Sequence, residues 1–250
     1  MPHQPLSPPV RIPEIPVFTA FEDKEDFWLV PGYERNLPHW RLIGATYFVT
    51  FRLADSLPSE VILRWKQDES QWLFQHDIDI HWQRSEPERF QQAVSSLDPV
   101  ARADFQREMA QQFFLELDQC HGCCALRQQE AQTVVADSLR FFHGRRLWVG
   151  DFVIMPNHVH VVAQPFAGVQ LEEWLYSVKR FTATRLMQVE NLHTQLVKRA
   201  GHVWQPESFD RVIRDLAELL RTRDYIARNP RHLHAGEFHL HRAEWMDALL

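Results

Sequence analysis

Met155-Pro156-Asn157-His158-Val159-His160-Val161-Val162 is the stretch on which the reading of this chain turns. It closes an apolar run, residues 147–155 (Leu-Trp-Val-Gly-Asp-Phe-Val-Ile-Met), that reads as a β-strand. Residues two apart on a strand point to the same face, so His158 and His160 project together while Val159 and Val161 turn into a core. Two neutral imidazoles on one rigid strand make half of a divalent-metal site. A bare His-x-His is more often a pair of half-buried strand histidines. Here the Met-Pro-Asn lead and the apolar flanks favour a ligand pair.

Outward from that stretch, residues 45–53 (Ala-Thr-Tyr-Phe-Val-Thr-Phe-Arg-Leu) are β-branched and aromatic and predict another strand. Residues 59–110 are helical in character and rich in Gln, Glu and Trp, which marks an insertion of about 59–126. Residues 128–143 have apolar positions at helical spacing and stop at Gly144. After the histidines come a helix over 171–189, a loop with Trp204-Gln205, a strand over 208–214 and a helix over 216–229. Pro230 ends that helix, because a residue before proline is pushed out of helical geometry. The pattern predicts an α+β sandwich with its helices on one face of the sheet. Residues 1–37 read as a Pro-rich arm, 38–236 as the folded domain and 237–250 as a tail.

The chain has 250 residues, 45% of them hydrophobic and 12% aromatic, with nine Trp, enough for a sizeable core. No stretch is long and apolar enough to span a bilayer, and Met-Pro-His-Gln-Pro is no signal peptide, so a cytoplasmic protein without a membrane partner is expected. Cys120, Cys123 and Cys124 make no disulfide framework, and one Cys-x-x-Cys without a second pair reads as a turn rather than a zinc site. The net charge of −6 excludes a uniformly basic coat for nucleic acid. Residues 171–236 nevertheless carry 11 Lys+Arg against 8 Asp+Glu and leave room for a local basic surface.

The last helix holds Tyr225-Ile226-Ala227-Arg228-Asn229-Pro230, and Tyr225 and Asn229, four apart, share one helix face. A tyrosine beside a two-histidine metal site suggests covalent phosphoryl chemistry: the phenolate attacks a phosphodiester and later serves as leaving group. Asn229 supplies an oxygen as third ligand, and an N,N,O set with open positions suits Mn²⁺ or Mg²⁺. Tyr176, in the first helix after the histidines, is the fallback nucleophile, while Tyr47 alternates with core residues. His232-Leu233-His234 and His239-Leu240-His241 end no apolar strand and read as surface or ligand-proximal histidines.

These pieces occur in a fixed order. Gly44-Ala45-Thr46-Tyr47-Phe48-Val49-Thr50-Phe51-Arg52-Leu53 comes first, then the His-x-His stretch, then Lys179-Arg180-Phe181-Thr182-Ala183. Trp204-Gln205-Pro206-Glu207-Ser208-Phe209-Asp210 and the Tyr225 helix follow. In that order the chain resembles the REP-associated tyrosine transposases, relatives of the single-tyrosine transposases of the HUH endonuclease superfamily, from about Pro38 to Gly236. The resemblance implies a ferredoxin-like β-α-β-β-α-β core. It also implies cleavage of single-stranded DNA beside an imperfect hairpin, through a 5′-phosphotyrosine, by a monomer or homodimer. By position, His158 and His160 match the metal pair, Tyr225 the nucleophile and Asn229 a polar third ligand. Lys179 and Arg180 fall in the helix that faces DNA in relatives. Phosphate contacts are expected from Lys179, Arg180, Arg185, Arg211 and Arg214, with bases stacking on Trp204 or Trp174.

Two departures stand out. Residues 55–130 hold 14 Asp+Glu against 7 Lys+Arg, an acidic insertion unsuited to lying along a phosphate backbone. Two extra residues also separate Asn229-Pro230 from Ala235-Gly236. Rival readings are a domesticated hairpin binder that does not cut, for which an intact His158, His160 and Tyr225 would have no use, and a metal-dependent hydrolase or oxygenase, which would form no protein–DNA adduct.

Overall fold

The structure is a computed structural model and describes residues 44–189, 192 and 201–247; the Pro-rich arm at 1–37 and Pro38-His39-Trp40 lie outside these residues. Five strands form one antiparallel sheet: β1 (Tyr47–Arg52), β2 (Leu147–Ile154), β3 (His158–Pro165), β4 (Phe209–Val212) and β5 (His239–His241). Their order is β4-β1-β3-β2-β5. Between β1 and β2 come α1 (Ser59–Gln75), α2 (Trp82–Ser85), α3 (Pro87–Ser95), α4 (Pro99–Asp118) and α5 (Gln129–Arg140). Helix α6 (Leu171–Leu186) lies between β3 and β4, and α7 (Leu216–Arg228) and α8 (Glu244–Asp247) follow β4. With α1 to α4 set aside, β1-α5-β2-β3-α6-β4 is the expected ferredoxin-like order, and the fold is α+β.

Every residue of β1 and β3 is buried. Strands covered on both faces need apolar side chains on both, which is why these two read as near-continuous apolar runs. Val49, Phe51, Val159 and Val161 pack against Val135 and Leu139 of α5 and Trp174 and Val178 of α6. On the opposite face Phe48, Val153 and Val162 meet Trp65 of α1, Phe113 and Leu117 of α4, and Leu219 and Ile226 of α7. Helices on one face only is therefore a correct expectation for α5 and α6 but not for the whole sheet. Left open, the second face would put these large side chains in water, at a cost of about 1.5–3 kcal/mol each. The insertion is a cover, not an appendage.

The His-x-His pair opens β3 instead of ending β2. Met155 N donates to His158 O (2.8 Å) to close the turn, and the carbonyls of Pro156 and Asn157 accept from Leu126 N (3.0 Å) and Leu53 N (2.8 Å). The turn is tied to its surroundings at each residue. The shared face of His158 and His160 is unaffected, because it depends only on their two-residue spacing.

Beyond Gly236, residues expected as a tail form the edge strand β5 against β2, and Met246 of α8 is fully buried. Gly150 makes room for it: a Cβ there would lie 2.5 Å from Met246 Sδ and 3.0 Å from Val162 Cβ. Helix α7 starts at Asp215, whose carboxylate accepts from Glu218 N (2.6 Å), and gives way at Asn229-Pro230 to a 3₁₀ turn over Asn229–His232. Among the described residues no helix is long and apolar enough to cross a membrane.

Candidate functional site

Alternation along β1 puts Phe48, Thr50 and Arg52 on one face, and the register sets Thr50 opposite His160 and Arg52 opposite His158. Both imidazoles are completely buried there. The His160 ring stacks on Phe48 (centroids 5.3 Å apart, planes at 24°) and takes the Phe114 ring of α4 edge-on (5.6 Å). Thr50 Oγ1 lies 2.7 Å from His160 Nδ1, and the Nε2 atoms of the two histidines face each other at 3.0 Å.

Proton positions follow from the partners. Asn157 Nδ2 donates to the His121 carbonyl (3.1 Å), which turns Asn157 Oδ1 toward His158 Nδ1 at 2.7 Å. An amide oxygen only accepts, so His158 carries its proton on Nδ1 and Nε2 keeps a bare lone pair. Whatever sits between the two Nε2 atoms must be positive: a proton donated by His160, or a cation. Burial holds both rings neutral. His158 is pushed down to about 3, chiefly by desolvation and then by the charge of His232, with Asn229 opposing. His160 lies well below its ordinary value through desolvation and the neighbouring His158. A neutral ring is the form that binds metal.

One turn of α7 brings Tyr225 and Asn229 to the same place. The Tyr225 hydroxyl lies 3.2 Å from His160 Nε2, and Asn229 Nδ2 donates to that hydroxyl at 3.2 Å and to Asp118 Oδ1 at 3.1 Å. Asn229 Oδ1 is buried and has no hydrogen-bond partner. Burial and the Asp118 carboxylate push the Tyr225 phenol up, against a smaller opposing pull from Arg211. Asp118 itself, 3.9 Å from His158 Nε2, is raised by burial.

As the side chains stand, no three His, Cys, Asp or Glu groups among the described residues lie at metal-holding spacing. The candidate donors are the two imidazole nitrogens, 3.0 Å apart, and the unpartnered amide oxygen of Asn229, whose Nδ2 reaches the Tyr225 hydroxyl beside His160, an N,N,O set. Ligand nitrogens about 2.1 Å from one ion and at right angles to each other are about 3.0 Å apart, the separation seen between the two Nε2 atoms. The donor types are those a divalent ion takes, and the same 3.0 Å is also that of a hydrogen bond between the two rings.

The residues expected on DNA are placed differently from one another. Lys179 Nζ donates to the carbonyls of Gln205 (3.0 Å), Pro206 (3.0 Å) and Glu207 (3.2 Å) and fastens that loop to α6. Trp204, 6% exposed, donates Nε1 to Thr182 Oγ1 (2.9 Å) and meets Phe51 edge-on; Trp174 is fully buried. Both rings are core residues in this structure, not open stacking platforms, because the β1–α6 interface needs their bulk. Arg211 and Arg214 both pair with the buried Glu218. Arg180 and Arg185 lie exposed on α6 beside the exposed rings of Tyr176 and Phe181. Tyr176, the fallback nucleophile, is therefore on the far side of the sheet from the histidines.

His239 and His241 accept from Arg140 Nη2 (3.1 and 3.4 Å) and stack on Phe152, partly exposed. The cysteine segment is a turn with free thiols, in which Cys123 N donates to Asp55 Oδ2 (2.7 Å). Sequence reasoning missed Asp118 entirely and gave no role to Thr50 or Asn157. Alternation along β1 and adjacency to His158 were signals for the last two. Nothing local marks Asp118 among the other acids of the insertion.

What the fold and site define is an antiparallel α+β domain in which buried His158, His160 and Asn229 meet a half-buried Tyr225 under a helical insertion. No family model and no curated protein matches the sequence. Among solved structures the chain is similar to a REP-associated tyrosine transposase bound to a REP hairpin, with 14% identity and a TM-score of 0.38 over 80% of this chain and 74% of that chain. So distant a likeness adds nothing to the site's own geometry.

Proposed function

We propose that this chain is a metal-dependent single-strand DNA endonuclease and strand transferase that acts beside DNA hairpins through Tyr225. One separation carries this reading: the phenol oxygen lies 3.2 Å from His160 Nε2, close enough for a single phosphate to meet both. The DNA part rests on the ordered motifs of the sequence, read by resemblance. His158, His160 and Asn229 would hold Mg²⁺ or Mn²⁺. When bound, such an ion would supply positive charge that eases loss of the phenolic proton and neutralises the non-bridging oxygens of the scissile phosphate.

Tyr225 supplies the nucleophile. Its oxygen forms the new bond to phosphorus, the bond to the 3′ oxygen breaks, and that oxygen takes up a proton and leaves as a 3′-hydroxyl. The phenolic proton passes to water. The 5′ end stays on Tyr225 until a second 3′-hydroxyl reverses the exchange. Asn229 Nδ2, hydrogen-bonded to the phenol oxygen, holds it in line. Arg180 and Arg185, exposed on α6 across the sheet from the histidines, would meet only phosphates of DNA that runs round the domain, an interaction that weakens with salt.

A labelled oligonucleotide carrying a hairpin and a single-stranded flank, incubated with the protein and Mn²⁺, should give a covalent adduct on a denaturing gel. Tyr225→Phe should form none while still retarding the hairpin on a native gel. An adduct formed equally by Tyr225→Phe would remove Tyr225 as nucleophile. One observation favours a second reading, a hairpin binder that does not cut: both imidazoles have no exposure at all beneath Phe114. Retardation by wild type with no adduct on any hairpin would select it.

A further inference from the structure

Resting on that reading of His158, His160 and Asn229, we infer that Asp118, brought in by the last turn of α4, is a positioning residue that fixes which way the Asn229 amide faces. An amide has two orientations of nearly equal shape, which exchange a donor for an acceptor. Left to itself, a buried Asn229 could offer the histidines either its oxygen, a ligand, or its NH₂ group, which cannot bind a cation. The carboxylate removes the choice. Asp118 Oδ1 only accepts when ionised and lies 3.1 Å from Asn229 Nδ2, so the flipped amide would set two oxygens against each other at that distance.

With Nδ2 held by Asp118 and the Tyr225 hydroxyl, Oδ1 is left pointing at no protein donor and shielded from water. A buried, unpartnered acceptor is costly to keep, and such a group calls for an explanation. A cation shared with the imidazoles provides one. Asp118 lies near enough to be part of the same cluster, 3.9 Å from His158 Nε2, yet its side chain is 27% exposed and reaches the rim. The acidic insertion thus contributes one charge to the site without lying along a phosphate backbone.

The test is Mn²⁺ binding to the full chain by titration calorimetry, which needs no DNA and no turnover. Asp118→Asn places an amide where the carboxylate was, so either orientation of Asn229 finds a partner. Loss of such a supporting group lowers metal affinity about 10- to 100-fold, and we expect a fall of about 10-fold. Exchanging the two groups, Asp118→Asn with Asn229→Asp, should restore affinity to within about threefold of wild type on the same scale. In that variant the carboxylate at position 229 presents oxygen in both orientations, and the amide introduced at position 118 can donate to it.

Because a carboxylate at position 229 is itself a stronger ligand, the exchange counts as rescue only relative to Asn229→Asp alone, and a purely structural Asp118 would lower the melting temperature of Asp118→Asn with Mn²⁺ affinity unchanged. Wild-type affinity in Asp118→Asn, or a double variant no better than the single one, overturns this inference alone. Failure of wild type itself to bind Mn²⁺, with His158→Ala indistinguishable from it, overturns the functional reading and this inference with it.

Discussion

Helix α7 takes part in two buried polar clusters that obey opposite rules. Arg223 reaches Asp151 on β2, both nearly or wholly buried, and every atom finds a partner. Asp151 Oδ2 accepts from Arg223 Nε (2.9 Å) and lies 3.1 Å from Arg242 Nη1, while Oδ1 accepts from Ala243 N (2.8 Å). The rest of the Arg223 guanidinium donates to Met246 O (3.2 Å) and Asp247 Oδ1 (2.5 Å). Two residues further on, Tyr225 enters a cluster where Asn229 Oδ1 has no partner and two imidazole nitrogens face each other across 3.0 Å. The saturated cluster closes the fold by tying β2, α7 and the chain beyond β5 together. The other leaves one buried acceptor, Asn229 Oδ1, without a partner, and that difference separates a clasp from a candidate site more sharply than burial.

The largest effect is expected at the clasp. Asp151→Ala strands a buried guanidinium, and removing one partner of such a pair costs about 3–5 kcal/mol. Denaturant unfolding should show that loss as a lower midpoint with an unchanged slope. Replacing both partners, Asp151→Leu with Arg223→Met, should recover most of it, since an apolar pair of similar volume is often neutral. A single variant as stable as wild type would mean that saturation here has no structural weight.

A smaller and pH-dependent effect belongs to the site. In chelator, histidines in the unfolded chain take up protons near pH 6.5, whereas folded His158 is pushed down to about 3 and His160 also lies well below the ordinary value. Between those values the unfolded chain binds more protons, so stability rises with pH and is lost as pH falls below about 6.5. The loss is about 1 kcal/mol per histidine between pH 6.5 and 5.5, about 2 kcal/mol for the pair. The paired variant His158→Gln/His160→Gln should flatten that slope. Parallel slopes in the two chains would show that the rings are not held neutral by burial.

The clasp was invisible in the sequence and the site was half visible, for physical reasons. His158, His160, Tyr225 and Asn229 were legible because their spacings, two on a strand and four on a helix, fix relative direction locally. The alternation of elements gave only an α+β sandwich; the ferredoxin-like order came from the resemblance. Asp118 and the pair of Asp151 with Arg223 depend on packing between segments distant in the chain, which no local period encodes. The setting of the cations was hidden for a related reason: nothing local shows that Arg211 has the buried Glu218 beside it. Trp204 read as a platform only because its loop context hid the strand it packs against.

The smallest expected change in stability discriminates best between the two kinds of cluster. Thr50 is 1% exposed, and its hydroxyl holds His160 Nδ1 at 2.7 Å. In Thr50→Val the fold keeps its β1 packing and loses one hydrogen bond, worth about 1 kcal/mol. Without that hydroxyl the ring's tautomer and tilt are no longer fixed, and Mn²⁺ affinity should fall about 10-fold. Calorimetric titration and thermal melts on the same samples separate the two quantities. A stability loss as large as that of Asp151→Ala, with Mn²⁺ affinity unchanged, would make Thr50 and His160 one more clasp and erase the distinction between the clusters.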